Sequence, residues 1–267
     1  YIFDPTKTRQ FEVFFKGLTL SKENKLPITD AVYRPQNLNR YIYRPFLIWN
    51  VDGNDLTIVG EGIFIEAITS LCTNSISWNK YPIEWSNDCF KNYVKTKVQF
   101  NDKILEDEGE EILKDNSIIY DRNVTSLKRK NNQGINIENE ECGEIDFIFI
   151  LNGDLYIADS KHQTSRYDMN NFRNDYTSFE TSKKAYNKTL RKKVLFFETK
   201  IPEVVEHFQT VLGDDTFELN NANVKGIFII NTPTFIMYNN EFKMYSLHNF
   251  KQLLEGEYID ETFTIVI

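Results

Sequence analysis

The sequence predicts an α/β protein, a central mixed sheet flanked by helices and preceded by an N-terminal β-rich lobe. Three observations carry this. Asn152-Gly153 stands between the apolar runs GEIDFIFIL and DLYIADSKH, a strong signal for a tight antiparallel hairpin. The run VKGIFIIN at 224–231 is compact and apolar, like strands of parallel sheets buried on both faces. Helical patterns lie before and between these runs, in the order helix, strand, hairpin, helix, strand over residues 86–231.

At 267 residues and 41% hydrophobic, the chain can bury one large core or a core with an appended lobe, and it is too apolar for disorder. No run of about 18 uncharged apolar residues occurs, and YIFDPTKTRQ lacks the basic-then-apolar order of a signal peptide, so a cytoplasmic protein without a membrane partner is expected. The chain opens on Tyr1 rather than Met, which suggests a domain excised from a longer parent chain with further domains. Cys72, Cys89 and Cys142 are odd in number and form no C-x-x-C pair, which argues against a disulfide framework or a thiolate zinc site. His162, His207 and His248 lack metal-ligand spacing and read as structural.

Along the chain, FEVFFKGL and YIYRPFLIWNVDGNDLTIVGEGIFIEAI read as strand-rich, with DGND as a hairpin turn, so residues 1–85 are expected to form the β-rich lobe. Trp78 and Trp85 are read as core of that lobe rather than as base-stacking platforms. Helical patterns follow in SNDCFKNYVKTKV and NDKILEDEGEEILKDN, where Leu105, Ile112 and Leu113 recur at helical spacing and Asn116 marks a stop. SIIYDRNV reads as a strand, and LKRKNNQGINIENEE as a polar loop ahead of the 152–153 hairpin. One long helix is expected from about Asp168 into the 190s, then another near PEVVEHFQTVLG. After VKGIFIIN, the expectation is a hairpin in TFIMYNNEFKMYS, a helix in LHNFKQLLEG and a last strand in TFTIVI. Residues 86–267 form the second expected domain.

The charges inside the 152–153 hairpin need explanation, because charged groups at the edge of a core are costly unless paired. If Asn152 and Gly153 form the loop, Leu151 faces Asp154, and stepping outward brings Asp146 opposite Asp159 on the same face. Two opposed carboxylates destabilise a sheet, whereas a divalent cation between them turns repulsion into coordination. Strand alternation puts Lys161 on that face too, where an ammonium can stabilise phosphate charge or help orient an attacking water. Glu144 points the other way in a regular strand.

This pattern of an acid, a turn and then Asp159-Ser160-Lys161 resembles the PD-(D/E)xK nuclease superfamily, the restriction-endonuclease-like fold. Asp146 matches the first acid of the motif. Ile145 replaces the proline of the family name, and Asp stands where Glu is commoner. The resemblance also implies a glutamate on the helix before the two strands. In LEDEGEEILKDN, Glu106 takes that place, seven residues ahead of Leu113; helical geometry supports it without singling it out, since Glu106 and Glu108 flank the Leu105, Gly109, Ile112 and Leu113 face. Gly109 costs the helix about 1 kcal/mol relative to Ala, tolerable if the helix approaches the sheet closely.

The resemblance implies a metal-dependent endonuclease acting on DNA in restriction, phage defence or repair. Asp146, Asp159 and Glu106 would hold Mg²⁺, for which Mn²⁺ substitutes, helped by a backbone carbonyl near Ser160, and Lys161 would assist attack. Dimers are common among double-strand cutters of this fold, which makes a homodimer a further expectation. The alternatives are a binding module without cleavage and a ribonuclease on the same fold. The net charge of −8 opposes nucleic acid binding if spread evenly, but residues 161–193 hold nine Lys and Arg against three acids, a local excess of +6. Arg173, Lys183, Lys184, Lys188, Arg191 and Lys192 form a candidate track for the phosphate backbone.

Overall fold

In the computed structural model, which describes residues 8–33, 37–130, 134–137, 142–163 and 169–259, the chain divides into two compact units, residues 1–101 and 102–267. Among the described residues of the first unit, helix α1 (Thr8–Gly17) comes first, followed by a short strand β1 (Thr19–Leu20) and a helix α2 (Ile28–Tyr33). Strands β2 (Phe46–Val51) and β3 (Asn54–Ile58) and helix α3 (Glu61–Asn74) come next. Leu18, Tyr43, Leu71 and Trp85 form its core, and the buried Arg44 pairs with the half-buried Glu84 at 2.9 Å. Trp85 is thus a packing residue, as expected.

The DGND turn forms as read: Asp52 and Gly53, both at positive φ, join β2 to β3 with Val51 opposite Asn54. The β-rich description of this unit is corrected, because helices make up most of its regular structure. Two runs read as strands are helical. Phe11, Phe14 and Phe15 of α1 and Leu18 just after it recur at helical spacing, and aromatic content masked that period. GEGIFIEAI begins α3 for want of any alternation.

Helix α4 (Asp88–Asp115) is one continuous element where two helical patterns were read. Asn87 caps it, its Oδ1 accepting from the Phe90 N–H at 2.9 Å. The division between units falls inside α4, after Asn101, rather than at 85/86.

The second unit continues with β4 (Ile119–Val124), the short pair β5 (Ser126–Leu127) and β6 (Ile135–Asn136), then β7 (Ile145–Leu151) and β8 (Asp154–Lys161). Helices α5 (Met169–Tyr176), α6 (Tyr186–Glu198) and α7 (Ile201–Leu212) lead to β9 (Val224–Ile230), β10 (Lys243–Ser246) and α8 (Leu247–Glu255). The main sheet has the order β10-β9-β8-β7-β4. β7 runs antiparallel to both its neighbours, β4 and β8, and β8, β9 and β10 run parallel. It is a mixed sheet, as expected, with VKGIFIIN at its parallel centre.

Alternation sorts the side chains between two layers. Phe147, Phe149, Tyr156 and Ala158 pack with Leu105 and Leu113 of α4 and Phe250 of α8. Ile148, Leu155 and Ile157 pack on the other face with Leu190 and Phe197 of α6 and Val204 and Phe208 of α7. Each fully buried large side chain contributes about 1.5–3 kcal/mol of burial free energy. Gly109 serves the first layer as anticipated: a Cβ there would lie 3.3 Å from the Phe147 ring.

Two further expectations are corrected. The single long helix after Lys161 is two, because the chain passes through a π-helical turn at Thr177–Thr181 and breaks at Ser182, Lys183, Lys184 and Ala185 before α6. TFIMYNNEFKMYS does not form a hairpin: Phe235–Asn239 is a 3-10 turn, and β10 pairs in parallel with β9. The last strand expected in TFTIVI lies outside the described residues. No helix among the described residues is long and apolar enough to cross a membrane.

Candidate active site

The Asn152-Gly153 turn forms with φ of 53° and 81°, and Leu151 faces Asp154, so the register read from the sequence holds over the paired length. The β7–β8 ladder closes at Phe147 opposite Ala158. One step farther, where Asp146 and Asp159 would form the next pair, the Ser160 N–H donates instead to Asp146 Oδ2 at 2.6 Å. On the other flank, β4 pairs Arg122 with Phe147 and Val124 with Ile145, while Asn123, at φ 52°, leaves no ladder partner for Asp146. The sheet therefore opens on both sides of one carboxylate, a local departure of the kind that re-aims a side chain.

Asp146, Asp159 and Lys161 project on the α6 face. Asp159 is buried, and Lys161 Nζ stands 3.6 Å from its Oδ2 while donating to the Ser160 carbonyl at 3.1 Å. Burial raises the Asp146 carboxyl to about 6; the neighbouring Asp159 charge adds to the rise, and Lys161 and the Ser160 N–H oppose it. For Lys161, burial acts to lower the ammonium, but Asp159 and Asp146 more than offset it and the net shift is upward. Lys161 is thus held as a cation, suited to stabilising phosphate charge rather than to abstracting a proton. The three groups on which the sequence reading rests are together.

A fourth group was not anticipated. Lys193 of α6 is buried, donating to Asp159 Oδ1 and to the Glu144 carbonyl, both at 2.6 Å. Its signal was legible: Leu190, Lys193, Val194 and Phe197 share one helical stripe, so a lysine occupied a core position. Tyr186, at the start of the same helix, places its ring 5.3 Å from Lys161 Nζ.

Glu106 is not brought to this cluster. It pairs with Arg122 at 3.0 Å on the α4 side of the sheet, where the same guanidinium also binds Asp107 at 2.7 Å and Glu110 at 2.8 Å. Among the described residues, no three His, Cys, Asp or Glu side chains converge as a metal site would require. The oxygen donors gathered here are two carboxylates and the Ser160 carbonyl, which already accepts from Lys161; they are of the type that a hard divalent cation would take. With the hydrogen bonds from Ser160 and Lys193 in place, a cation would face Asp146 Oδ1 and Asp159 Oδ2, the second of which it would share with Lys161 at 3.6 Å.

The basic residues divide among three places: Arg173 on α5, Lys183 and Lys184 in the break, and Lys188, Arg191 and Lys192 on α6. All six are exposed. Lys188 donates to the Ser182 carbonyl at 3.1 Å, and Arg191 is paired with Glu241. His207 is structural as expected: its Nδ1 accepts from the Lys128 N–H at 2.9 Å, and its Nε2 lies 3.1 Å from Asp121 Oδ2. Burial lowers the His162 imidazole. The cysteines are all free. No family model, curated protein or solved structure matches the chain.

Proposed function

We propose that the second unit is a metal-dependent endonuclease with a restriction-endonuclease-like core, hydrolysing phosphodiester bonds of DNA. The observation that carries this reading is the meeting of Asp146, Asp159 and Lys161 on one face, where the β7–β8 ladder ends. Asp146 and Asp159 would hold Mg²⁺ or Mn²⁺ together with the Ser160 carbonyl. When bound, such a cation polarises the phosphodiester and lowers the pKa of a coordinated water. The Ser160 N–H fixes one Asp146 oxygen and so aims the other, and Lys161 supplies positive charge for the phosphate. Lys183, Lys184, Lys188 and Lys192, exposed around the start and outer face of α6, would follow the backbone of the substrate.

The test is incubation of supercoiled plasmid with the purified chain and Mg²⁺ or Mn²⁺, beside Asp146→Ala and Lys161→Ala. Metal-dependent nicking by the parent protein and its loss in both variants is the expected result; equal activity in all three proteins refutes the reading. A labelled RNA in the same assay separates ribonuclease action. The Lys193 contact with Asp159 favours one second reading, a nucleic acid-binding module in which a lysine has replaced the metal. Retention of DNA without any metal-dependent product would select it.

A further inference from the structure

Asp159 meets two ammonium groups from different elements. Lys161 reaches Oδ2 from its own strand at 3.6 Å, and Lys193 reaches Oδ1 from α6 at 2.6 Å. The Lys193 side chain is 4% exposed and Asp159 3%, so this is a buried pair that water does not screen. Lys193 also holds the Glu144 carbonyl at 2.6 Å, immediately before β7 begins. One ammonium therefore ties the carboxylate of β8 to the backbone that leads into the strand bearing Asp146.

The charges have a consequence for metal loading. Asp146 and Asp159, when both ionised, bring two negative charges, and Lys161 and Lys193 bring two positive ones. A divalent cation entering this balanced set adds uncompensated charge, unlike one entering a bare pair of carboxylates. Lys193 also occupies Asp159 Oδ1, so a cation would meet only the opposite oxygen, shared with Lys161 at 3.6 Å, and bidentate chelation is blocked. A nucleic acid phosphate supplies both the missing charge and a further oxygen ligand.

We propose that Lys193 is a positioning residue that holds Asp159 by one oxygen and keeps the cation site weak until a phosphate group arrives, so that metal and nucleic acid load together. The proposal rests on the nuclease reading of the same cluster. Lys193 need not touch substrate; it acts through Asp159.

The test is Mn²⁺ binding by calorimetry and by electron paramagnetic resonance, on the full chain, with and without a short DNA duplex in a phosphorothioate form resistant to cleavage. Lys193→Gln removes the charge and keeps a donor for Asp159 and the Glu144 carbonyl. It is expected to bind Mn²⁺ about tenfold more tightly than the parent without DNA, and to lose most of the gain that DNA confers on the parent. Lys193→Arg keeps the charge and is expected to stay within about threefold of the parent in both conditions. Thermal melts establish that each variant is folded. Unchanged or weaker affinity in a folded Lys193→Gln overturns the proposal, as does a tenfold tightening in Lys193→Arg. If neither parent nor variant binds Mn²⁺ with or without DNA, the nuclease reading fails and this proposal fails with it. If the parent binds Mn²⁺ and DNA adds nothing, the nuclease reading stands and only the role of Lys193 falls.

Discussion

Replacing Asp146 by Asn gives the most direct measure of the electrostatics at the site. The carboxyl is raised from its ordinary value of 3.8 to about 6, first by burial and then by Asp159. Between those values the folded chain binds more protons than the unfolded chain, so this group's contribution to stability is complete below about pH 4 and is lost as pH rises through about 6. A gap of about two pH units corresponds to about 3 kcal/mol at 1.36 kcal/mol per unit. Asn keeps an oxygen to accept from the Ser160 N–H and has no charge to bury. Asp146→Asn should therefore match the parent near pH 4 and exceed its stability by about 3 kcal/mol near pH 7.5, without metal. Urea unfolding of both proteins across that range measures the difference. The same titration governs cation loading, so Mn²⁺ affinity of the parent should rise through about pH 6. A stability difference that is independent of pH, or a variant less stable than the parent at every pH, refutes the assignment of a partly buried carboxylate raised by its surroundings.

Other consequences follow from particular residues. Arg122→Met should cost about 2–3 kcal/mol in urea unfolding, because Glu106, Asp107 and Glu110 lose a common partner that is only partly shielded from solvent. Glu106→Gln should cost under about 1 kcal/mol and leave Mn²⁺ affinity within about threefold; a drop above about tenfold would put Glu106 among the ligands. Gly226→Ala should destabilise by about 1–3 kcal/mol, since the added Cβ would stand 2.8 Å from the Phe242 ring and 2.9 Å from Val194 Cγ2. Lys183→Glu combined with Lys184→Glu should weaken DNA binding and lower the slope of log affinity against log salt by about 0.9 for each phosphate no longer neutralised; an unchanged slope removes this break from the interface.

Where periodicity and turn chemistry agree, local sequence was sufficient. Asn152-Gly153 determined the hairpin and its register through the positive φ that both residues accept, and Asp52-Gly53 did the same in the first unit. The compact apolar run within 224–231 announced a strand of the parallel part of the sheet, and Gly109 fitted a helix that approaches the sheet closely. Alternation alone placed Asp146, Asp159 and Lys161 on one side of the sheet.

Tertiary packing decided the rest. Glu106 satisfies helical geometry and the spacing of a ligand, but α4 packs on the face opposite α6, and Arg122 reaches from β4 to claim it. The helical stripe of Leu190, Val194 and Phe197 marks Lys193 as a core position but does not name its partner. Only the docking of α6 on the sheet brings it to Asp159, across 34 residues of chain. The opening of the ladder at Asp146 likewise depends on Asn123 of a neighbouring strand. Backbone preferences act over a few residues and are written locally, whereas the partner of a buried charge is set by which surfaces meet, because burial leaves it nowhere else to find compensation.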